Sequence, residues 1–427
     1  MAATIFALAS GALPAAIAVV RISGPRAIAA ACQLAGDLPP ARRAGVRRLI
    51  DPASGEVLDR AIVVVFPGPK SATGEDLVEL HLHGGRAVVT AVQAALASID
   101  GLRGAEAGEF TRRALANGRI DLAEAEGLGD LLMAQTERQR RTAMMSAGGR
   151  LSRLVSDWAT ELLAVSATIE AVLDFSDEDD VGDALVPSVR ARIDALATAM
   201  ANVLAEPPVE RLRDGIRVVL AGPRNAGKST LLNRLVDRDA AIVSPIAGTT
   251  RDMIEVPVVR DGIAYVFVDT AGFADATDDA IEAIGIARAR EAAATADILI
   301  WLDDDPPHAT ERAIWLYARA DIRPMSADPR RLAVSAVSGE GLSALWGALA
   351  HQAATLLPRE DAVALNARQR DCCAVCCASL CSAAQAEDPL VVAEHLRIAR
   401  QALDRLLGRV DVEAMLDALF SRFCIGK

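Results

Sequence analysis

The sequence predicts a multidomain chain of mixed class: an N-terminal α/β domain, a helical bundle built from two chain segments, and an α/β phosphate-loop domain inserted between those segments. Three observations predict it. A complete phosphate-binding loop lies between an apolar run and a helical pattern, the hydrophobic period switches along the chain, and Pro207-Pro208 marks a break. At 427 residues the chain exceeds one ordinary core. A prior of about 150 residues per domain gives two or three, and three fits best.

Residues 1–118 alternate short β-branched runs (17–22, 61–66, 77–82) with helical stretches such as 87–99, the pattern of a compact α/β domain. The apolar first twenty residues lack a basic start and are interrupted by Pro14, so they read as a strand and turn rather than a signal peptide. Over 119–211 the pattern turns helical, with Leu122, Ala125, Leu128, Leu131 and Leu132 on one face. Residues 212–352 alternate strand and helix, with strands expected at 218–221, 264–269, 297–303, 313–317 and 332–335. That is a doubly wound nucleotide domain. From 353 to 427 the helical stripe returns through Leu396, Ile398, Ala402, Leu403, Leu406 and Leu407. Insertion of one domain into another gives a route by which movement in the first reaches the second.

The phosphate loop is Gly222-Pro223-Arg224-Asn225-Ala226-Gly227-Lys228-Ser229, following Val218, Val219 and Leu220 and preceding Leu231, Leu232 and Leu235. Glycines let successive N–H groups curl around a β-phosphate, the lysine reaches the β and γ oxygens, and the serine hydroxyl ligates magnesium at the helix N-terminus. Lys228 is one of only three lysines, with Lys70 and Lys427, in a chain that otherwise uses arginine. A planar guanidinium does not replace a compact ammonium among phosphate oxygens.

Downstream, Gly248-Thr249-Thr250-Arg251-Asp252 supplies a threonine able to complete magnesium coordination and sense a γ-phosphate. Asp269-Thr270-Ala271-Gly272 ends the next apolar strand about forty residues after the phosphate loop, the spacing of a magnesium-shell aspartate and a γ-phosphate-facing glycine. For the base, the usual Asn-Lys-x-Asp is reduced to Ala318-Arg319-Ala320-Asp321. The carboxylate of Asp321 accepts the paired N–H groups of guanine, which adenine lacks, so GTP is favoured over ATP. Ala318 removes a side-chain amide that would brace this loop, while Arg319 can lay its stem over the base. Ser335-Ala336-Val337, followed by Gly339 and Gly341, forms a further loop at the base. Phe273 stands where Ras-like enzymes place a water-orienting glutamine, so that role falls to the acidic stretch Asp275, Asp278, Asp279 and Glu282.

A net charge of -12 argues against a general nucleic-acid or anionic-membrane binder. Arg42, Arg43, Arg47 and Arg48, and Arg138, Arg140 and Arg141, read as solvated faces, as do Asp177 to Asp180. No run reaches the roughly 18 apolar residues of a membrane span. The seven cysteines are odd in number and five cluster between Cys372 and Cys381 at helical spacing. They read as reduced core thiols of a cytoplasmic protein rather than a metal site.

Together with Gly74-Glu75-Asp76, Glu79-Leu80-His81-Leu82-His83-Gly84-Gly85, Gly108-Glu109-Phe110-Thr111 and terminal Phe423-Cys424-Ile425-Gly426-Lys427, these motifs closely resemble the MnmE (TrmE) family of tRNA-modification GTPases. The resemblance runs from about residue 4 to the end. It implies an N-terminal tetrahydrofolate-binding and dimerising domain at 1–118, helical segments at 119–211 and 353–427, and a GTPase domain at 212–352. It further implies a potassium-dependent GTP hydrolase in a homodimer. With the FAD-dependent partner MnmG (GidA), in a heterotetramer or larger complex, it would modify carbon 5 of the wobble uridine of certain tRNAs. The one-carbon donor would be a tetrahydrofolate derivative, 5-formyl or methylene.

By motif, GTP would meet Asn225, Ala226, Gly227, Lys228, Ser229 and Thr230 in the phosphate loop. It would also meet Ser244, Pro245, Ile246, Ala247, Gly248, Thr249 and Thr250, then Asp269, Thr270, Ala271 and Gly272, and finally Asp321, Ser335, Ala336 and Val337. The resemblance assigns magnesium to Ser229 and Thr250, and potassium to Asn225, Ser244, Ile246 and Thr249, the monovalent ion taking the place of an arginine finger. Glu282 would orient the attacking water. The folate positions are Arg21, Glu79, Arg119 and Lys427, and Cys424 matches a cysteine tied to the modification. His81 and His83 share a strand face and read as structural or folate-pocket residues.

Departures from the family pattern are Leu13-Pro14-Ala15-Ala16 in place of a glycine-rich turn, Arg119 in place of lysine, one extra residue between Gly272 and Glu282, and the missing Asn-Lys pair. The alternative is a nucleotide-controlled assembly switch with feeble hydrolysis. Substituting Glu282 separates the two, since only an enzyme loses tRNA modification together with hydrolysis. An ATP-dependent kinase or transporter subunit is disfavoured by Asp321.

Overall fold

The computed structural model describes residues 3–174, 182–223, 225–237, 254–269, 294–307, 311–323, 328–410, 419–420, 423 and 426. The chain divides into two compact units. One comprises Met1–Gly129, Ser146–Asp157 and Leu403–Lys427, the other Asp130–Met145 and Trp158–Ala402.

The first unit holds β1 (Thr4–Leu8), β2 (Ala15–Ser23), α1 (Ala27–Ala35), β3 (Gly45–Ile50), β4 (Val57–Phe66), β5 (Leu77–Gly84), α2 (Arg86–Ala97), β6 (Leu102–Gly104) and α3 (Glu109–Ala116). The strands form one sheet in the order β3-β4-β5-β2-β1-β6, antiparallel except for the β1–β6 pair. Alternation decides its faces. Ala18, Val20 and Ile22 on β2, and Val78, Leu80 and Leu82 on β5, point into a core closed by Ala27, Ala30, Ala31 and Leu34 of α1 and Val89, Val92 and Leu96 of α2. The intervening residues Arg21, Glu79 and His81 therefore share the opposite face, where Arg21 pairs in register with Glu79 and Val19 with His81. Phe110 of α3 joins Ile5 and Ala7 in a smaller cluster.

Helices α4 (Leu122–Met133), α5 (Glu137–Ala147), α6 (Arg150–Asp174), α7 (Gly182–Ala205) and the short α8 (Glu210–Arg213) follow. Leu122 and Ala125 are buried as their period predicts, but Leu132 is exposed. Near its C-terminus α4 thus presents an apolar residue to solvent. Two of these starts are reciprocal capping boxes. Glu124 N–H donates to the Asp121 carboxylate while Asp121 N–H donates to Glu124, both at 2.9 Å. Gln139 N–H donates to Thr136 Oγ1 at 3.1 Å while Thr136 N–H donates to Gln139 Oε1 at 2.8 Å.

The second sheet, in the order β12-β11-β10-β7-β9-β8, is built from β7 (Ile216–Ala221), β8 (Ile254–Arg260), β9 (Ile263–Asp269), β10 (Ile298–Trp301), β11 (Ala313–Ala318) and β12 (Leu332–Val334), with α9 (Lys228–Asp237) after β7 and α10 (Leu342–Leu356) after β12. All its pairs are parallel except β8–β9, a hairpin turned by Asp261-Gly262. The strand β8 was not among those expected from the sequence. Central β7 is buried nearly throughout, and Tyr265, Phe267 and Trp346 meet with ring centroids 5.6 to 6.1 Å apart. Burying aromatics of this size stabilises the domain by roughly 2–3 kcal/mol each.

Finally α11 (Ala367–Gln385), opened by an Asn366/Gln369 capping box, packs along α7, and α12 (Pro389–Leu406) follows. The core reading of the cysteine cluster holds for Cys373 and Cys376, which are buried on this face, but not for Cys381, which the helical turn carries to the exposed side; Cys372 and Cys377 lie between. Burial raises the thiol pKa of Cys373 to about 12.

Candidate functional sites

Parallel strands deliver the nucleotide motifs to one edge of the second sheet, because loops leaving the C-terminal ends of neighbouring strands converge there. β7 leads into the phosphate loop, β9 ends on Asp269 beside Leu220, and β11 and β12 end at Ala318 and Val334. The loop must pass close to the end of β10. A Cβ on Gly222, whose φ is 147°, would lie 3.0 Å from the Leu302 backbone, so only glycine fits. Asn225 takes a left-handed conformation at φ 59°, and the Ala226 N–H donates to the Pro223 carbonyl at 3.3 Å.

Lys228 opens α9 and is nearly buried, with Nζ donating to the carbonyls of Gly222 and Pro223 at 2.7 Å each. Burial pushes its pKa below the usual lysine value, and the charge of Asp269 opposes that shift. Both residues are less than a tenth exposed, so an ammonium and a carboxylate are both held away from water in this part of the domain. Ser229 and Thr230 lie exposed in the first turn of α9. A hydroxyl at a helix N-terminus with a carboxylate nearby is an oxygen donor set suited to a hard divalent cation.

At the base end, Arg319 follows β11 in a left-handed conformation, and its guanidinium donates to the Asn225 carbonyl. Asp321 is exposed. The Ala320 N–H donates to the Val334 carbonyl at 3.3 Å, tying this loop to the next. There Ser335 is fully buried, its Oγ accepting the Ser338 N–H at 3.1 Å, while Val337 is exposed. Ala226, Ala318 and Ala336, one from each loop, pack against the same domain core. The structure thus brings together Asn225 to Thr230, Asp269, Asp321 and Ser335 to Val337. Ser244 to Thr250, Thr270 to Gly272 and Glu282 lie outside the described residues.

In the first unit Arg21 donates to Glu79 from Nε at 3.2 Å and from a terminal nitrogen at 2.8 Å, and His81 Nε2 sits 3.3 Å from the other carboxylate oxygen. Burial pushes the Glu79 pKa up, but Arg21 and His81 outweigh it and hold the carboxyl below its usual value. Arg119 donates to the Ser71 carbonyl at 3.2 Å, in the loop before β5. His83 is engaged by Asp59 at 2.7 Å. Lys427 and Cys424 lie outside the described residues, but a Cβ on Gly426 would come 2.1 Å from the Leu8 carbonyl oxygen, so Gly426 itself backs onto β1.

A second network gives the other quoted motifs a role that reading the sequence missed. Glu75 accepts from Ser23 at 2.8 Å and from Arg113 at 3.0 Å, and Glu109 accepts from Arg113 at 2.9 Å and Arg103 at 2.6 Å. Arg113 therefore links α3 to the loop that carries Gly74-Glu75-Asp76. The acidic residues of both motifs were visible in the sequence, but their shared cation was not.

Fold and site together define a chain that carries a phosphate-loop nucleotide-binding domain, a set of helices and a mixed α/β domain. The chain belongs to the MnmE (TrmE) family. The model of the GTP-binding protein TrmE N-terminus matches residues 4–119 and that of the MnmE helical domain matches 122–424. A protein of Erythrobacter litoralis named tRNA modification GTPase MnmE is 55% identical over 99% of this chain and 100% of its own length. One of the same name from Rhizorhabdus wittichii is 55% identical over 99% of this chain and 96% of its own. Among solved structures, Era of Aquifex aeolicus bound to GDP and AlF4- shares 22% identity over 40% of this chain and 69% of its own, with a TM-score of 0.26.

Proposed function

We propose that the chain is a potassium-dependent GTP hydrolase of tRNA modification. With an FAD-dependent partner it would act on carbon 5 of the wobble uridine, using a one-carbon tetrahydrofolate derivative. The observation that carries the reading is the convergence of Lys228, Asp269, Arg319 and Asp321 at one sheet edge, in a chain 55% identical end to end to a tRNA modification GTPase.

Lys228 would exchange two carbonyls for the β and γ oxygens of the nucleotide, and Asp321 would accept the paired N–H groups of guanine. Ser229 with Thr250 would hold magnesium, and Asn225, Ser244, Ile246 and Thr249 potassium, whose charge would offset that developing on the transferred phosphoryl group. Glu282 would orient water. In the first unit, the half-buried Glu79 carboxylate, kept ionised by Arg21, is suited to accept N–H donors of a pterin, with Arg119 and Lys427 as further folate contacts. Exposed Ile17, Val46 and Ile62 stand on the sheet face of Glu79 and support pairing of two copies there. No helix among the described residues is long and apolar enough to cross a membrane.

The test is GTP and ATP turnover in potassium and in sodium at equal ionic strength. Potassium-stimulated, GTP-selective hydrolysis is expected. Turnover indifferent to the cation, or equal with ATP, overturns the reading.

A further inference from the structure

Five of the seven cysteines lie on α11, and packing explains only some of them. Cys373 and Cys376 are buried where α11 meets its neighbours, and a small apolar side chain is what such a place requires. Cys381 is exposed, where alanine would serve the helix better. It nevertheless stands four residues after Cys377, one turn along the same face. Cys377 is half-buried and donates from Sγ to the Ala197 carbonyl of α7 at 3.5 Å. Its thiol also shares a hydrogen bond with that of Cys381. The two sulfurs are therefore neighbours, one anchored in the packing and one open to solvent.

Two adjacent thiols of this kind have few chemical uses. Zinc asks for four donors, and among the described residues no group of three or more histidine, cysteine or acidic side chains is placed to hold a metal. A redox pair needs a thiol kept ionised by a nearby cation, but Cys381 has Cys377, Ala378, Ala384 and Gln385 a turn away along the helix. Burial, reinforced by Cys381, holds the Cys377 thiol above its ordinary value. A soft cation is different, because it prefers sulfur, is content with few ligands and displaces the thiol proton itself.

We propose that Cys377 and Cys381 form a two-thiolate site for a soft monovalent cation, Cu(I), on the solvent side of α11. Loading is a ligand exchange without change of oxidation state: each sulfur releases its proton to solvent, and two Cu–S bonds replace two S–H bonds. The Ala197 carbonyl already fixes Cys377, so only Cys381 has to be ordered, which keeps the entropic cost of binding low. The site uses no residue of the nucleotide or folate reading.

The experiment titrates the reduced full chain with Cu(I), without oxygen, in competition with bicinchoninate, whose colour reports the copper it retains. Wild type is compared with Cys381→Ser, Cys377→Ser and Cys372→Ser. The wild type is expected to withdraw one equivalent from the chelator. Losing a group that merely orients a metal ligand costs about 10–100-fold in affinity, so loss of either sulfur should weaken binding by ~100-fold or more. Cys372→Ser, which keeps both sulfurs, should leave it unchanged. If the wild type takes no copper from the chelator, or Cys381→Ser competes like wild type, the site is refuted. Equal losses from Cys372→Ser and Cys381→Ser would spread the ion over the cluster and refute a two-thiolate site as well. Should Cys377→Ser fail to fold, Cys381→Ser, which alters an exposed position, carries the test alone.

Discussion

Replacing Gln139 by leucine is expected to destabilise the second unit by about 3–4 kcal/mol, and the estimate follows from the hydrogen bonds of one buried amide. Gln139 Oε1 accepts from the N–H groups of Gln135 at 2.7 Å and Thr136 at 2.8 Å, and Nε2 donates to the carbonyls of Leu212 at 2.9 Å and Arg213 at 3.1 Å. The contacts to Thr136 and Leu212 are buried, so leucine strands two groups away from water at about 1–3 kcal/mol each. The other two are partly open and cost roughly 0.5 kcal/mol each, while the added apolar burial returns about 1 kcal/mol. Beside it, Arg138 donates to the Pro358 carbonyl at 2.6 Å. Adjacent residues of α5 therefore hold both the segment leading into the nucleotide domain and the segment leaving it. Scanning calorimetry of the nucleotide-free protein reads the effect as a fall in midpoint of about 10 °C, at roughly 2–4 °C per kcal/mol for a unit of this size. A fall of less than about 3 °C would show that water satisfies the stranded groups and refute the accounting. Gln139→Glu sharpens the test, because it keeps the acceptor but sets a charge against two carbonyls, and its loss should shrink as acid protonates it.

Two further outcomes follow from ionisable groups. Burial pushes the Glu109 pKa up from 4.5, but Arg103, the Glu106 N–H and Arg113 prevail and hold it below that value. A carboxyl depressed in the folded state contributes stability above its unfolded pKa and loses it as pH falls through the folded one. Glu109→Gln should therefore be less stable than wild type to urea at about pH 7, with the gap closing as pH falls below the ordinary carboxylate range and through the depressed folded pKa; a constant gap over that acid range would contradict the linkage. Lys228→Met removes a charge that burial already disfavours, so the nucleotide-free midpoint should move by less than about 1 kcal/mol in equivalent stability while nucleotide affinity falls at least ~100-fold. A large loss of apo stability would mean that the two carbonyl contacts of Lys228 chiefly support the fold.

What was legible in the sequence is what short-range spacing dictates. The phosphate loop needs its residues within one turn and the start of a helix, and β7, Gly222 and Lys228 stand where that spacing requires. Alternation likewise placed His81 and His83 on one strand face, which the register with Val19 and Ile17 bears out. Two local signals went unread: Thr136-x-x-Gln139 announces a capping box, and Ile254, Val256 and Val258 before Asp261-Gly262 announce a hairpin. The contacts that matter most were not legible at all. Gln139 meets Leu212 across 73 residues, Arg113 meets Glu75 across 38 and Arg319 meets Asn225 across 94. No periodicity encodes which carbonyl lies opposite a given guanidinium once two loops have folded together.

The two cations of the phosphate loop show how far residue type alone can be read. Lysine is nearly absent from the chain, yet it is kept at 228, where one small group sits 2.7 Å from two carbonyls within a few residues of each other and must then fit among phosphate oxygens. A guanidinium is too wide for that place. At 319 the demand differs, since the side chain comes from another loop and meets a single carbonyl from outside the anion cup. Width is no obstacle there, and extra donors are useful. The preference of the chain for arginine over lysine is therefore met at position 319 and not at position 228. On this argument, Arg319→Lys is close to neutral for nucleotide binding, whereas Lys228→Arg is not.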